Sequence, residues 1–104
     1  MTERYRVCAL EDLQDGKAQR FEAAKTKIAI VRVGDDVFAI GDTCSHANYS
    51  LSEGEVFCED RTIECWKHGS AFSLRDGLAL NLPATRPVPT YKVELEDGDV
   101  YVVI

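Results

Sequence analysis

The chain has 104 residues, 45% of them hydrophobic and 29% charged, which is the composition of one soluble folded domain and excludes a second domain of ordinary size. Its 18 acidic residues against 12 basic ones give a formal net charge of -6, which disfavours binding to nucleic acid or to an anionic membrane. Because no apolar run approaches the ~20 residues of a membrane span and the first residues lack the apolar stretch of a signal peptide, we expect a cytoplasmic protein.

Strands are predicted along the first forty residues. Residues 5–9 alternate weakly between apolar and polar, and the pair Asp15-Gly16 that follows is typical of hairpin turns. The segment 17–25 has a helix-forming composition, but it is short and lacks a convincing N-cap, so we predict a strand there. β-branched residues predict two further strands, at 27–33 and 37–40, with a turn that begins at Gly34 between them.

The middle of the chain, residues 41–82, contains turn signals and short apolar stretches instead of long strands. A small hairpin is predicted from 56–58 and 61–64, with an acidic turn at 59–60 between them. A further turn is predicted at 75–77, where the sequence reads Arg-Asp-Gly. We interpret this region as a subdomain inserted in an outer framework of strands.

The end of the chain predicts a second hairpin. Three prolines make residues 82–89 an irregular loop. Residues 91–96 then alternate with a period of two, and Asp97-Gly98-Asp99 turns the chain into a strand at 100–104. The whole chain, residues 1–104, is therefore predicted to be a single all-β domain of antiparallel sheets that contains the inserted subdomain.

Two short pairs of metal-ligating residues lie in that subdomain. Cys44 and His46 form a C-x-H pair, Cys65 and His68 form a C-x2-H pair, and 18 residues (47–64) separate them. A hairpin of this length returns its end beside its start, so the four side chains can converge. Sulfur and imidazole ligands suit zinc or an iron–sulfur cluster. Structural zinc usually pairs like ligands on each loop, whereas mixed loops suit a two-iron cluster with both cysteines on one iron, although zinc remains an alternative.

The second pair belongs to a longer motif. It reads Cys65-Trp-Lys-His68-Gly69-Ser70-Ala-Phe72, and together with the first pair it resembles the Rieske signature. The resemblance extends over nearly the whole chain, through the strand framework, the turn after the motif and the proline loop. It is similar to small Rieske-type ferredoxins, which implies an all-β Rieske domain holding one 2Fe-2S cluster. Two cluster-binding loops at 43–50 and 65–73 are implied, with a third loop at 82–89 shielding the cluster.

The resemblance also implies the role of each ligand. Cys44 and Cys65 are expected to bind the inner iron, and His46 and His68 the outer iron, with their distal nitrogens near solvent. Ser70 is expected to contact a cluster sulfide, since it follows the His-Gly pair. Neutral imidazoles in place of two thiolates make the cluster less negative, which raises its reduction potential above that of plant-type ferredoxins.

The chain departs from the Rieske proteins of cytochrome bc complexes at three positions. Those proteins have a disulfide between the two loops, but the corresponding positions here are Tyr49 and Lys67. High-potential members also have a tyrosine that donates a hydrogen bond to a ligand sulfur, where this chain has Phe72. Fewer hydrogen bonds to sulfur stabilise the reduced cluster less, so we expect a potential in the lower half of the Rieske range, roughly -150 to +300 mV.

The implied function is electron transfer without catalysis. No nucleophile–base pair or phosphate-binding loop is visible, and both histidines are assigned to the cluster. We expect a soluble monomeric ferredoxin that takes single electrons from a flavin-dependent reductase and passes them to a terminal non-haem iron oxygenase. The alternatives are the small subunit of a nitrite reductase that uses NADH or NADPH, and a cluster protein of iron–sulfur assembly or redox sensing. Cys8 and Cys58 are predicted to be buried small hydrophobic residues and not ligands.

Overall fold

Two antiparallel sheets make up the part of the chain described by the computed structural model, which comprises residues 3–45, 49–67, 69–82 and 84–104. The strands are, in chain order, β1 (Arg4–Ala9), β2 (Lys17–Ala23), β3 (Thr26–Val33), β4 (Asp36–Gly41), β5 (Glu55–Phe57), β6 (Thr62–Glu64), β7 (Ala71–Ser73), β8 (Thr90–Glu96) and β9 (Asp99–Val103). The first sheet has the order β1-β9-β8-β4-β3-β2 and the second the order β5-β6-β7. The strands are accompanied by two short 3-10 helices, at Leu10–Asp12 and Leu51–Glu53. Because strands make up nearly all of the regular structure described, the predicted all-β class is confirmed.

The segment with helix-forming composition is a strand, as predicted, and it ends at Ala23. β2 pairs with β3 residue by residue, from Lys17 opposite Arg32 to Ala23 opposite Thr26. The two strands are joined by a tight turn in which Ala24 and Lys25 both have positive φ, of 50° and 63°. Paired backbone and a buried end residue outweigh the weak intrinsic preference of these residues for helix.

The hairpin predicted around Asp15-Gly16 is wrong. β1 pairs with β9 at the other end of the chain, and β2 pairs with β3. Gly16 does lie in a turn, with φ of 77°, and its N–H donates to the carbonyl oxygen of Arg32 at 2.8 Å. The turn signal was therefore real, but local turn chemistry does not decide whether the flanking strands pair with each other.

β3 is buried on both faces and separates two hydrophobic clusters. Ile28 and Ile30 point into a framework cluster, whereas Ala29 and Val31 point into a second cluster beneath the three-stranded sheet. The framework cluster is completed by six other buried side chains, namely Cys8, Leu13, Ala23, Ala39, Val100 and Val102. The second cluster contains both Cys44 and Cys65, so the predicted metal ligands are placed where the two sheets meet.

β4 and β8 are neighbours in the large sheet, although almost fifty residues separate them in sequence. Ala39 lies opposite Tyr91 and Ile40 opposite Thr90. The chain between them includes the small sheet, in which β5 and β6 form the predicted hairpin around a turn at 58–61. β7 was not predicted, because three residues are too few to show a period. This excursion brings the loops of the candidate metal centre to one edge of the framework.

Candidate metal centre

The first predicted ligand loop begins directly after β4. Thr43 and Ser50 form a bridge across its base, and the Cys44 N–H donates to the Tyr49 carbonyl oxygen at 2.9 Å. Cys44 is 3% exposed. The predicted ligand His46 lies outside the described residues. The loop therefore has closed ends, and its cysteine faces the apolar cluster beneath it.

The second predicted loop has the same construction. The Cys65 N–H donates to the Ser70 carbonyl oxygen at 2.7 Å, again five residues further along the chain. The Gly69 N–H donates to the Cys65 carbonyl oxygen at 3.0 Å, and Gly69 has a φ of 75°. This left-handed conformation is the backbone role expected of a glycine at this position. Cys65 is 1% exposed, and the predicted ligand His68 lies outside the described residues.

A buried carboxylate clasps the two ends of the first loop. Asp42 is 2% exposed, and its carboxylate accepts hydrogen bonds from the Ser50 hydroxyl at 2.6 Å and from the Ser52 N–H at 3.0 Å. Its own carbonyl oxygen accepts from the Leu51 N–H at 2.6 Å. Sequence reasoning missed Asp42. The only signal was an aspartate before the loop and two serines after it, and such residues are common at ordinary turns.

The proline loop at 82–89 is hydrogen-bonded to both predicted ligand loops. The Ser45 hydroxyl donates to the Arg86 carbonyl oxygen at 2.6 Å, and the buried Ser70 hydroxyl accepts from the Ala84 N–H at 3.1 Å. A serine hydroxyl that accepts one hydrogen bond still has its own proton to donate. Ser70 can therefore hold the third loop and donate toward a bound group at once.

Asn81 also fastens the second loop. Its side-chain oxygen accepts from the Ala71 N–H at 2.6 Å, and its amide nitrogen donates to the Gly69 carbonyl oxygen at 3.0 Å. These two bonds flank Ser70 on either side. Sequence reasoning did not single out Asn81, because an asparagine two residues before a proline is typical of an ordinary loop.

An aromatic pair joins the two predicted ligand loops, and it consists of Tyr49 and the residue before Lys67. The rings of Tyr49 and Trp66 meet edge to face, with centroids 5.1 Å apart and an interplanar angle of 82°. Trp66 is still 50% exposed, and the Lys67 ammonium lies 5.8 Å from its ring centroid. Trp66 is therefore both a loop anchor and an exposed surface residue.

The two described cysteines of the motif fit a soft metal centre. Cys44 and Cys65 are buried in one cluster with Leu51, Ile63 and Phe72, and neither is in a disulfide. Burial of thiolates in such surroundings is costly unless a cation compensates their charge, and iron or zinc does so. Within the described ranges no three His, Cys, Asp or Glu side chains form a metal-binding group, and both histidines lie outside those ranges.

The other two cysteines differ from this pair. Cys8 is buried in the framework cluster, as predicted, and burial followed by the nearby charge of Asp12 raises the pKa of its thiol. A raised pKa keeps the thiol protonated and unreactive at neutral pH. Cys58 is only partly buried, packed against the second cluster, so the prediction that it is a buried residue is wrong. The turn at 58–61 leaves its side chain at the edge of the core.

Phe72 occupies the centre of β7 and is fully buried opposite Ile63. Its ring belongs to the same cluster as Cys44 and Cys65. A phenyl ring at this position packs the floor of the centre but donates no hydrogen bond. The loops, the buried thiols and the apolar floor together define a closed metal-binding tip on an all-β framework.

Comparison with known families identifies the class of this chain. A model of the Rieske 2Fe-2S domain matches residues 3–92, so the chain belongs to the Rieske domain family. Members of this family hold a 2Fe-2S cluster. The two buried cysteines, one in each closed loop, fit that cluster, so the predicted cofactor is confirmed. The zinc alternative is thereby set aside.

Relatives of known activity are ferredoxins of oxygenase systems. The chain is 43% identical over 96 residues to the 3-phenylpropionate/cinnamic acid dioxygenase ferredoxin subunit of Escherichia coli strain K12, covering 92% of this chain and 89% of the relative. It is 44% identical over 99 residues to the subunit of the same name from Photorhabdus laumondii, covering 94% and 91%. The chain is accordingly a Rieske-type ferredoxin, an electron-transfer component and not a catalytic subunit.

Solved structures agree with the assignment of the chain as a Rieske-type ferredoxin. The ferredoxin of carbazole 1,9a-dioxygenase from Nocardioides aromaticivorans superposes with a TM-score of 0.93 at 34% identity, covering 95% of each chain. A chain from a complex of reduced oxygenase and oxidised ferredoxin in carbazole 1,9a-dioxygenase gives 0.88 at 40% identity, covering 95% and 91%. A structure described as an NADH-dependent nitrite reductase small subunit from Mycobacterium tuberculosis gives 0.89 at 24% identity, which shows a shared fold alone.

One further finding concerns membranes. No helix in the described ranges is long and apolar enough to cross a bilayer.

Proposed function

We propose that this ferredoxin carries single electrons from a flavin-dependent reductase to a terminal non-haem iron oxygenase, as a monomer in the cytoplasm. The observation that supports this best is the similarity, over nearly the full length of both chains, to ferredoxin subunits of dioxygenases. The likeness to a nitrite reductase subunit extends to the fold only, so it does not favour that alternative.

The ligand set proposed for the cluster is Cys44 and Cys65 on the inner iron and His46 and His68 on the outer iron. Burial of both cysteines at 3% and 1% exposure supports an inner position for the iron that they bind. When bound, the cluster supplies a centre that accepts and releases one electron. Leu51, Ile63 and Phe72, which share a buried cluster with Cys44 and Cys65, would exclude water from the side of the two cysteines, and Ser70 is proposed to donate its hydroxyl proton toward a sulfide.

Pulsed EPR of the dithionite-reduced protein tests the ligand set directly. A Rieske centre gives a rhombic signal with a lower average g value than an all-cysteine cluster, because nitrogen ligation differentiates the reducible iron. The chain has only two histidines, so couplings to two imidazole nitrogens would assign His46 and His68 without ambiguity. Cys8→Ala and Cys58→Ala variants serve as controls that keep the signal unchanged. A signal without nitrogen coupling would rule out the proposed ligands.

Electron transfer itself is tested with candidate flavin-dependent reductases and terminal oxygenases, sought first among the genes that neighbour its own. We expect the reductase to reduce the protein with NADH or NADPH, and the reduced protein to be reoxidised by the oxygenase in single-turnover experiments. Failure of the oxygenase to accept electrons from fully loaded protein would contradict the proposal. Sedimentation at the concentration of the assay tests the monomeric state.

A further inference from the structure

The three-stranded sheet presents an outward face that the metal centre does not use. Residues 78–80 extend this sheet beside β7, since the Ser73 N–H donates to the Leu78 carbonyl oxygen at 2.9 Å and the Leu80 N–H to the Ala71 carbonyl oxygen at 2.8 Å. Successive side chains of a strand point to opposite faces. Val56, Ile63, Phe72 and Ala79 therefore pack inward, where all four contribute to the second cluster. Their neighbours in sequence point outward.

The outward side chains form two cross-strand rows, which we call the outer sheet face. One row consists of Glu55, Glu64, Ala71 and Leu80, and the other of Phe57, Thr62, Ser73 and Leu78, of which Thr62 is itself buried. Its largest apolar members are markedly exposed, Phe57 at 37%, Leu78 at 52% and Leu80 at 54%. Five of these residues line a shallow depression of about 320 Å³, together with Asp60.

Such exposure is concentrated in one part of the molecule. Among the described residues the exposed large hydrophobic side chains are Phe57, Trp66, Leu78, Leu80, Leu82 and Leu95. All but Leu95 lie between residues 57 and 82, on or beside the metal-binding tip. Phe57, Ala71 and Leu80 line the same depression, and exposed apolar side chains that share a surface in this way mark an interaction site in a soluble protein, whereas scattered ones do not.

The charges on the outer sheet face are all negative. Glu55 and Glu64 lie directly opposite each other on adjacent strands, and Asp60 borders the same depression. Neither glutamate makes an ion pair or a side-chain hydrogen bond in the described structure. Like charges at directly opposed positions destabilise a sheet. The pair therefore lowers the stability of the fold, and no ion pair or side-chain hydrogen bond in the described structure compensates for that loss.

The outer sheet face is continuous with the second ligand loop. Glu64 immediately precedes Cys65, and its carboxylate oxygen Oε1 lies 3.7 Å from the position that a Cβ atom on Gly69 would occupy. A protein seated on this face would thus also reach the second ligand loop at Gly69. The face is close enough to the metal centre to take part in docking for electron transfer.

We propose that the outer sheet face docks the terminal oxygenase, through a surface on that enzyme with lysine or arginine side chains around an apolar centre. This inference rests on the function proposed above. A second copy of this chain is a poor occupant, because two such faces together would oppose Glu55 and Glu64 of both copies, in molecules that each have a net charge of -6. A basic partner instead neutralises the opposed glutamates and covers the leucines.

The electrostatic part is tested with the cluster-loaded Glu55→Gln/Glu64→Gln variant. Its reduced form is mixed with the candidate oxygenase in a stopped-flow spectrometer, over a series of salt concentrations. We expect the second-order rate constant to fall about tenfold at low salt and to converge with the wild-type value at high salt. The reduction potential is measured for each variant, so that a change in driving force is not taken for a change in docking.

The matched control removes two carboxylates elsewhere. Glu11→Gln/Asp35→Asn changes the net charge equally, at exposed positions of the framework. We expect it to retain most of the wild-type rate. The free energy of unfolding supplies a second readout, because removing an opposed like-charge pair leaves stability unchanged or raises it. Loss of stability in Glu55→Gln/Glu64→Gln, or an equal loss of rate in the control, would overturn the electrostatic argument.

The apolar part is tested with Leu78→Ser/Leu80→Ser, compared with Leu95→Ser at a similarly exposed framework position. We expect the first variant to bind the oxygenase more weakly at every salt concentration, and the control to bind it as wild-type protein does. If the variants slow reduction by the reductase but not electron delivery to the oxygenase, the inference is contradicted. It is also contradicted if the wild-type protein forms a dimer that Leu78→Ser/Leu80→Ser abolishes. If wild-type protein delivers no electrons to the oxygenase, the proposed function fails; if wild type and variants deliver them equally, only this inference fails.

Discussion

At the scale of single residues, the metal-binding tip depends on side chains that are not themselves ligands. Asp42 holds the two ends of the first loop through its bonds to Ser50 and Ser52. Buried hydrogen bonds to a charged group are among the stronger ones, and removing one partner leaves the others unsatisfied. Cys44, one of the proposed ligands, lies between the groups that Asp42 joins.

We expect Asp42→Ala to lower the free energy of unfolding by about 1–3 kcal/mol, because it leaves the Ser52 N–H and the Ser50 hydroxyl without their acceptor. The same substitution should speed loss of the visible absorption of the cluster in air. Denaturant unfolding and the decay of that absorption measure the two effects. Asp35→Asn, at an exposed turn, is the control. A cluster as long-lived in Asp42→Ala as in wild type would show that the carboxylate does not position the loop.

Trp66 offers a second test at this scale. Its edge-to-face contact with Tyr49 joins the two loops without a covalent bond. Trp66→Ala should cost about 0.5–1.5 kcal/mol from the aromatic pair and shorten the lifetime of the cluster, whereas Trp66→Phe should restore most of both. Unfolding and absorbance decay again provide the readout. Equal behaviour of the alanine and phenylalanine variants would show that the ring contact is not what stabilises the loops.

At the scale of elements, the turn after β7 has to approach the third loop closely. A Cβ atom on Gly77 would lie 2.1 Å from the Val88 carbonyl oxygen, and the Val88 N–H donates to the Gly77 carbonyl oxygen at 2.9 Å. Gly98, in the turn between β8 and β9, has nearly the same φ, 79° against 76°, but has no atom within 4 Å of the same position. The two glycines therefore separate conformational cost from steric cost.

We expect Gly98→Ala to cost about 1–2 kcal/mol, the price of the left-handed conformation alone. Gly77→Ala should cost ~1–3 kcal/mol more, because the added methyl group displaces the backbone at Val88. It should also accelerate loss of the cluster, whereas Gly98→Ala should not. The comparison uses urea unfolding of both variants and absorbance decay. Similar losses at the two positions would mean that the contact between the turn and the third loop adjusts without strain.

At the scale of the whole molecule, the two hydrophobic clusters predict how removal of the metal affects the fold. The framework cluster, with Val100 and Val102, contains neither Cys44 nor Cys65. The second cluster contains both, so its loops depend on the bound group as well as on packing.

Removal of iron with a chelator under reducing conditions should therefore act on one part of the molecule. We expect the amides of Cys65 and Gly69 to exchange with deuterium much faster in the metal-free protein, while those of Ile28 and Ile30 remain protected. Hydrogen exchange followed by mass spectrometry or NMR tests this, with the reloaded protein as the control. Global loss of protection would indicate that the framework does not fold without the cluster.

Much of the site could be predicted from the sequence, because its chemistry is local. The spacing of Cys44 and His46 and of Cys65 and His68 indicated a metal centre without knowledge of the fold, and the resemblance to the Rieske signature implied the cluster. Strands with a period of two and Asp-Gly turns indicated an antiparallel all-β domain. These signals depend on side-chain type and on backbone preferences over a few residues, so they survive without tertiary information.

Only the tertiary structure decided which distant segments meet. The pairing of β1 with β9, the clasp by Asp42, the contact of Tyr49 with Trp66 and the outer sheet face all join residues whose local sequence is ordinary. Local preference limits each segment to a few conformations, but the choice of partner depends on which arrangement buries the most apolar surface over the whole chain. The sequence thus determined what the metal centre is made of, and the packing of the sheets determined what surrounds it.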